Sequence, residues 1–253
     1  MIQTRFSASR ISELLAGGTG KTAQSYILDL AIQSLGIREE ISTPAMKHGI
    51  QNQMNGFEKV VKPLFPNAEW HDEFILINEH CGASPDILNE SSPMDIKCPY
   101  YIDTFIEQIN KPPSKYFAQV QMQMMACKSD IGRLVFYLTK PEEWGQETEV
   151  VEYPFPLELR FKIFEFTKDE ELQEKILEKV EESQPKKIQI IELLNNANVI
   201  SEEQFFYEQM NGFVYRKLQE SNNILNLASV IRVNDKFYYI YVCILCFCPT
   251  IFD

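Results

Sequence analysis

The sequence predicts a mixed α/β or α+β fold, because segments with helical periodicity alternate with short strand-like segments along the chain. The chain has 253 residues, 45% of them hydrophobic, which is enough for one large domain with an extension. No stretch reaches the roughly 18 consecutive apolar residues of a transmembrane helix, and the first residues lack the apolar segment of a secretory signal. We therefore expect a cytoplasmic protein that needs no membrane and keeps its six cysteines as free thiols.

The net charge of −12 argues at first against nucleic acid as a ligand. The acidity is uneven, however. Asp and Glu outnumber Lys and Arg by 21 to 11 in residues 141–253, but only by 15 to 13 in residues 1–140. A metal-dependent site also needs carboxylates of its own, so the net charge does not exclude DNA.

Three helices are predicted in the first quarter of the chain. In "SASRISELLAG", Ser7 or Ser9 can cap a helix that carries apolar residues at helical spacing. Two further helical patterns cover about 25–35 and 45–61, and the second is expected to end before Pro63.

A strand followed by a hairpin is predicted next. The segment "EFILI", residues 73–77, is typical of a strand, and "NESSP", residues 89–93, is a turn signal followed by the alternating segment "MDIKC". On such a strand Asp95 and Lys97 share one face. If the hairpin closes around Glu90 and Ser91, Asp86 lies opposite Asp95, and the two acids and the lysine meet at one patch.

The remaining elements follow from the same signals. Ser114 can cap a helix that follows two prolines, and strands are expected over 133–139 and 148–155. Thr167 and Glu170 form a capping box for a helix that should end before Pro185. Beyond it we expect helical segments, which gives a domain over residues 1–185 and a helical extension with an apolar tail over 186–253.

Three other patterns are weaker. "GGTGKT", residues 17–22, lacks the first glycine of a phosphate-binding loop and follows a helix instead of a strand. "CILCFC", residues 243–248, shows no fourth metal ligand and favours a buried strand. His48 and His71 could be ligands, but single histidines are more often structural.

The group of Asp86, Asp95 and Lys97 has a clearer chemical meaning. Two carboxylates directed at one point suit Mg²⁺, and a lysine beside the ion can orient the attacking water or stabilise charge on a phosphoryl oxygen. That combination serves phosphodiester hydrolysis. The alternative is a surface hairpin with ordinary charges, and the pattern alone does not decide between them.

The motifs "SPDIL" and "MDIKCP" resemble the PD-(D/E)xK nuclease signature. Together with "MKHGIQNQMNGF" and "YFAQVQMQMMAC" they resemble the YqaJ-type viral recombinase family, that of phage lambda exonuclease. The resemblance runs from about Ser7 to Glu182. It implies a restriction-endonuclease-like core, a mixed β-sheet flanked by helices. It also implies Mg²⁺-dependent 5′→3′ digestion of double-stranded DNA ends, with Mn²⁺ as a substitute, leaving 3′ overhangs for recombination. A single-strand annealing protein, a homotrimer and, for a viral protein, the host cytoplasm are implied as well.

The resemblance assigns roles to individual residues at the predicted patch. Asp86 matches the bridging metal ligand and Asp95 the second carboxylate. Ile96 would offer its backbone carbonyl to the metal. Lys97 matches the catalytic lysine, and Gln119 matches an active-site glutamine on the following helix.

The family also implies a pocket for the 5′-terminal phosphate, formed here by Ser9 and Ser84. Its arginine has no counterpart in register, although Arg5 and Arg10 are close. Gln53 stands where the family has a glutamate, so it is a weaker candidate for a metal ligand. Two alternatives follow: a catalytically weak protein that binds DNA ends, and a nicking or restriction-like endonuclease on the same core.

Overall fold

The computed structural model describes residues 4–16, 21–36, 43–140, 152–196, 225–233, 236–243 and 249–250. The chain divides into two compact units. The core unit comprises Gln3–Leu15 and Arg38–Glu182, and the second unit comprises Met1–Ile2, Ala16–Ile37 and Ser183–Asp253. The glycines of "GGTGKT" and residues 244–248 of the cysteine cluster lie outside the described residues.

The strands of the core unit form two sheets. They are β1 (Phe6–Ser7), β2 (Ala68–Trp70), β3 (Ile75–Leu76), β4 (Cys81–Ala83), β5 (Ile87–Asn89), β6 (Ser92–Lys97), β7 (Ile131–Tyr137) and β8 (Phe161–Thr167). The larger sheet has the order β2-β5-β6-β7-β8, in which only β6 and β7 are parallel. The smaller sheet has the order β1-β4-β3, with β1 parallel to β4. The sheets are therefore mixed, as the sequence predicted.

Helices precede, separate and follow these strands along the chain. They are α1 (Ile11–Leu15), α2 (Lys21–Ser34) of the second unit, α3 (Pro44–Gly56), α4 (Lys62–Leu64), α5 (Ile102–Asn110), α6 (Ser114–Cys127) and α7 (Glu170–Asn196). Short 3₁₀ turns cover Ala8–Arg10 and Leu157–Leu159. The parallel strands β6 and β7 are joined through α5 and α6, as a parallel pair requires a long crossover.

The hairpin of β5 and β6 closes as the sequence predicted. Asn89 pairs with Ser92, so the turn consists of Glu90 and Ser91. Glu90 takes a positive φ of 59°, a conformation suited to tight hairpin turns. This register brings Asp86, just before β5, opposite Asp95 on β6.

The alternation along β6 separates an apolar face from a polar one. Met94 and Ile96 are fully buried in a cluster with Phe57, Val60 and Val135. Asp95 and Lys97, which alternate with these two residues along the strand, point to the opposite face, where α6 lies. The period of two predicted from "MDIKC" is therefore observed.

Helix α6 approaches β7 closely because position 132 is glycine. A Cβ atom there would lie 2.6 Å from Cγ1 of Val120 and 2.7 Å from Cγ of Met124. Both helix residues are fully buried against β7. The absence of a side chain on Gly132 thus sets how near α6 comes to the sheet.

Helix α3 begins as the sequence indicates but extends further. Thr43 caps it by accepting a hydrogen bond of 3.2 Å from the backbone N–H of Met46. The chain stays helical after Gly56 through a π-helical turn at Phe57–Val61 and α4. The expected end before Pro63 is therefore wrong, because this proline lies in the first turn of α4, where a missing N–H is tolerated.

The elements after β7 differ from the prediction in two places. Of the strand expected over 148–155, residues 148–151 lie outside the described residues and 152–155 are irregular. The strand that pairs with β7 is β8. The segment around Pro154 and Pro156 is unsuited to pairing, because proline has no N–H for a hydrogen bond between strands. Helix α7 is capped by Asp169, which accepts a hydrogen bond of 3.0 Å from the N–H of Leu172, since Thr167 ends β8. The helix continues past Pro185, which removes one hydrogen bond without ending it.

The second unit corrects the expectation of a helical extension. Residues 183–196 are helical, but the described residues further on form strands β9 (Leu225–Val233), β10 (Lys236–Cys243) and β11 (Pro249–Thr250). They pair antiparallel in the order β11-β10-β9. Segments such as "KFYYIYVC" are rich in aromatic and β-branched residues, which favour strands. The boundary predicted at residue 185 stays a prediction. Within the described residues, no helix is long and apolar enough to cross a bilayer.

Candidate active site

The carboxylate of Asp95 is the centre of the polar face of β6. Asp95 is only 1% exposed. Its Oδ1 accepts hydrogen bonds from Nε2 of Gln119 at 2.6 Å and from Nε2 of Gln123 at 2.9 Å. Its Oδ2 forms an ion pair of 2.5 Å with Nζ of Lys97. Two amide donors and one ion pair thus hold one buried carboxylate in a fixed orientation, as a buried charge requires.

Lys97 is held from two sides. Besides the ion pair with Asp95, its Nζ lies 5.3 Å from the centre of the Tyr116 ring, a cation–π distance. Burial alone would lower the pKa of Lys97, but the charges of Asp95 and Asp86 outweigh it and raise the pKa above its ordinary value. Lys97 is therefore an ammonium group at neutral pH.

Asp86 faces the same patch from the other arm of the hairpin. Its Oδ2 accepts a hydrogen bond of 2.7 Å from the backbone N–H of Ile96. Burial, and then the charge of Asp95, raise the pKa of Asp86 to about 7, although Lys97 and the Ile96 N–H act in the opposite direction. Two carboxylates and one ammonium leave an excess of negative charge, which a bound cation would relieve.

Gln53 reaches this patch from α3. Its Nε2 donates hydrogen bonds to Oδ2 of Asp86 at 3.2 Å and to the backbone carbonyl of Ile96 at 3.1 Å. Both acceptors are atoms that the resemblance assigns to the metal. The side chain that replaces the glutamate of the family is therefore in contact with the predicted site.

The residues present fit a hard divalent cation. Asp86, Asp95 and the carbonyl of Ile96 offer oxygen atoms, the ligands that Mg²⁺ and Mn²⁺ prefer. The described part of the chain contains no cluster of three or more His, Cys, Asp or Glu side chains that could hold a metal. The ligands here would instead be two carboxylates and a backbone carbonyl. A site with two carboxylates suits Mg²⁺, which keeps several of its waters and is bound by one or two carboxylates.

The residues predicted for the 5′-phosphate lie at the end of the smaller sheet. The parallel register pairs Ser7 of β1 with Gly82 of β4. Ser9 lies two residues after Ser7, and Ser84 lies two residues after Gly82. Ser9 is exposed, and its Oγ lies 3.2 Å from Oγ of Ser7. Ser84 is also exposed. The two serines therefore leave their strands at the same end.

The two candidate arginines are placed differently. Arg10 makes two hydrogen bonds, of 2.7 and 2.8 Å, to the carboxylate of Glu13 on α1. Arg5 is half-buried and directly precedes β1. Arg10 is thus already paired with an acid, which argues against it as a phosphate ligand in this conformation.

Gln123 and Tyr116 were not predicted from the sequence. Gln123 follows Gln119 by four residues, a spacing that places both on one face of a helix and so indicates a shared role. His48 is structural, because it is buried and contacts Asn52 and Thr139 at 3.3 and 3.2 Å. The backbone N–H of His71 donates to the carbonyl of Asp86 at 2.9 Å.

The fold and this constellation define the class of the protein. A mixed sheet whose central hairpin carries two facing acids, with a lysine two residues after the second, resembles the core of the PD-(D/E)xK nucleases. The sequence model of the YqaJ-like viral recombinase domain matches residues 2–130, about half of the chain. The chain belongs to this family, which is one of nucleases.

Solved structures share the fold. An alkaline exonuclease from Laribacter hongkongensis, LHK-Exo, is 24% identical, with a TM-score of 0.61 over 76% of this chain and 91% of that chain. The same enzyme in complex with dAMP gives 23% identity and a TM-score of 0.61 over 75% and 91%. A phage-related exonuclease from Haemophilus somnus 129PT is 18% identical, with a TM-score of 0.63 over 76% and 97%. No curated protein sequence matches the chain.

Proposed function

We propose that this protein is a Mg²⁺-dependent exonuclease that digests double-stranded DNA from its ends in the 5′→3′ direction and leaves 3′ overhangs for recombination. The convergence of Asp86, Asp95 and Lys97 on one face of the hairpin carries the proposal. Membership of a viral recombinase family supports DNA as the substrate. The structure of LHK-Exo with dAMP supports it further, because a mononucleotide is what an exonuclease releases.

In this proposal the hairpin binds the metal. Asp86, Asp95 and the carbonyl of Ile96 would hold it, and Mn²⁺ would substitute for Mg²⁺. When bound, such an ion lowers the pKa of its water and neutralises charge on the phosphoryl oxygen. The hydrogen bond from the Ile96 N–H holds Asp86 towards the patch before the substrate arrives.

The other residues orient the hydrolytic centre. Lys97, as an ammonium, donates a hydrogen bond to the charge that develops on the scissile phosphate. Gln119 and Gln123 keep Asp95 from rotating, because both amides donate to the same carboxylate oxygen. This rigidity preserves the geometry that the reaction needs.

The 5′-terminal phosphate would bind at Ser9 and Ser84, which offer hydroxyl groups at the exposed end of β1 and β4. Arg5, which directly precedes β1, would supply the arginine of this pocket. A single-strand annealing partner, a homotrimer, a nuclease domain over residues 1–185 and a cytoplasmic location, in the host cell if the protein is viral, belong to the same proposal. Sedimentation analysis would reveal a trimer.

A second candidate function is a catalytically weak protein that binds DNA ends. The observation that favours it is the contact of the neutral Gln53 amide with Asp86 and Ile96. A glutamate there would attract the metal with a negative charge, and an amide does not. The endonuclease alternative differs in its substrate, since it would cut a circle without ends.

The test compares three duplex substrates in Mg²⁺: linear with 5′-phosphate, linear with 5′-hydroxyl, and closed circular. We expect digestion of the first, slower digestion of the second and none of the third, and EDTA should stop the reaction. Asp86→Asn and Lys97→Met should abolish digestion without unfolding the protein. Glu90→Gln, which removes an exposed charge from the same hairpin, is the matched control and should stay active.

Each other outcome points elsewhere. Binding of linear duplex without digestion, even at high enzyme concentration, would favour the end-binding protein. Cleavage of the circle would favour the endonuclease. Full activity in Asp86→Asn or Lys97→Met would place the active site outside this hairpin.

A further inference from the structure

The amide of Gln53 has two chemically different ends. In the structure its Nε2 end faces the site and satisfies two acceptors, Oδ2 of Asp86 and the carbonyl of Ile96. Its other end, Oε1, is an acceptor and therefore a possible ligand of a hard cation. A half-turn about the last side-chain torsion exchanges the two ends, and such torsions have broad, roughly two-fold preferences.

The observed orientation suits a site without a cation. Asp86, Asp95 and the Ile96 carbonyl present several acceptors, and Lys97 compensates mainly Asp95. The partial positive charge of the Gln53 NH₂ group satisfies the two acceptors that Lys97 does not reach. A carboxylate at position 53 could donate nothing to them and would face Asp86 with like charge.

The position of the amide also suits a ligand. The Nε2 atom of Gln53 lies 3.2 and 3.1 Å from Asp86 Oδ2 and the Ile96 oxygen. A turned amide would therefore bring Oε1 next to two of the oxygen atoms that would hold the ion.

We propose that Gln53 serves the site in two orientations. Without metal it donates from Nε2 to Asp86 and Ile96, and with metal it turns its amide and presents Oε1 as a neutral ligand. The side chain thus neutralises the metal-free site and completes the metal-bound one. This inference rests on the proposed function, because it takes Asp86 and the Ile96 carbonyl as metal ligands.

Calorimetric titration of the full chain with Mg²⁺ and with Mn²⁺, without DNA, tests the ligand role. Gln53→Met removes both donor and acceptor at similar length and should weaken binding roughly tenfold or more. Gln53→Glu should tighten binding by a similar factor and lower the melting temperature of the metal-free protein. Gln51→Met and Gln51→Glu, at an exposed position two residues earlier on α3, are matched controls and should bind like the wild type.

The sign of the Gln53→Met effect is decisive. Equal or tighter binding in this variant would mean that the amide only blocks the site or is a bystander, and would overturn the inference. Unchanged affinity in Gln53→Glu would do the same.

A second readout is measured on the wild-type protein, and the variant serves only for the assignment. The side-chain NH₂ resonance of Gln53, assigned by its loss in Gln53→Glu, should shift when Mg²⁺ saturates the protein, because its hydrogen bonds to Asp86 and Ile96 break. An unmoved resonance, with metal bound and duplex digested, would overturn the inference and leave the exonuclease proposal intact. Absence of binding at millimolar Mg²⁺ would overturn the inference whatever the digestion assay gives, and absence of digestion as well would overturn both.

Discussion

Gln123 donates a hydrogen bond of 2.9 Å from its Nε2 atom to Oδ1 of Asp95, and its side chain is completely buried. The same Nε2 atom lies 3.5 Å from the backbone carbonyl of Ser84, and Oε1 of Gln123 has no hydrogen-bond partner among the described residues. A polar group buried with only half of its capacity used is costly in stability. If Asp95 holds the metal as proposed, the role of this amide is to fix the orientation of that carboxylate.

Removal of either glutamine beside Asp95 should reduce activity. Gln123→Met and Gln119→Met each take one donor from Oδ1, so the carboxylate gains freedom to rotate, and we expect activity to fall roughly 10- to 100-fold. The initial rate of duplex digestion, per folded molecule, measures the effect.

Gln121→Met is the control on the same helix. Gln121 faces away from Asp95, donates to the carbonyl of Thr167 at 2.8 Å and accepts from the N–H of Asp169 at 2.9 Å. Its loss should lower stability by about 1–3 kcal/mol and leave the rate per folded molecule unchanged. Equal rate losses in all three variants would contradict a specific role for the Asp95 contacts.

Tyr116 should support Lys97 through its ring and not through its hydroxyl. The cation–π contact at 5.3 Å is of the kind that contributes about 1 kcal/mol, or roughly fivefold in rate if it is lost only in the transition state. Tyr116→Phe should keep the rate, and Tyr116→Leu should lower kcat by about that factor with little change in KM.

Phe117→Leu removes a neighbouring ring of the same helix that packs against Phe166 instead of Lys97. It should leave kcat unchanged. A slow Tyr116→Phe variant would show that the hydroxyl, and not the ring, supports the reaction.

Divalent metal should stabilise the folded protein. A ligand at 100 times its dissociation constant stabilises the native state by about 2.7 kcal/mol, which corresponds to roughly 5–10 °C in melting temperature for a chain of this size. Calorimetric melting in EDTA and in Mg²⁺ should show this shift.

Asp86→Asn should abolish the shift, because the carboxylate that faces the patch is neutralised. Glu90→Gln should retain it, since Glu90 is exposed in the turn of the same hairpin. An equal shift in the Asp86→Asn variant would mean that the metal binds elsewhere.

Stability should increase when Lys128 is replaced by glycine. Lys128 follows the last residue of α6 with φ 54° and ψ 42°, a left-handed conformation in which a Cβ atom costs about 1 kcal/mol or more. Lys128→Gly should therefore raise the free energy of unfolding by about that amount in urea titrations.

Lys115→Gly, in the first turn of the same helix, should lower the free energy of unfolding by about 1–2 kcal/mol, since glycine adds flexibility and the contact of Nζ with the Tyr116 ring at 4.8 Å is lost. If both variants were destabilised alike, the left-handed strain at Lys128 would not be significant.

The sequence predicted the hairpin because its signals are local. The alternation in "MDIKC" and the turn at Glu90 and Ser91 act over a few residues, and together they determine that Asp86 faces Asp95. The helical spacing likewise predicted the start of α3 to within a residue, and the two prolines predicted the start of α6. The expected cap by Ser114 is wrong, because Pro113 occupies the N-cap position and Ser114 is the first residue of the helix.

The contacts that complete the site depend on tertiary packing. The partners of Gln53 lie 33 and 43 residues away along the chain, and no periodicity shows which way its amide points. The spacing of Gln119 and Gln123 predicts a shared helix face, but not that this face meets Asp95. Strand β8 was not predicted because the neighbouring segment 148–155 also has a strand-like composition. Pro154, which has no N–H for strand pairing, is the signal in that segment against a strand.

The close approach at Gly132 has a consequence for related sequences. Helix α6 carries the two glutamines that grip Asp95, and its distance from β7 leaves no room for one methyl group at this position. A homologue with alanine at this position could keep every acidic, basic and amide residue of the site. Its helix α6 would nevertheless have to shift away from β7, which would misalign the two glutamines with Asp95. In reading such homologues, the residue that carries no functional group should be checked alongside those that do.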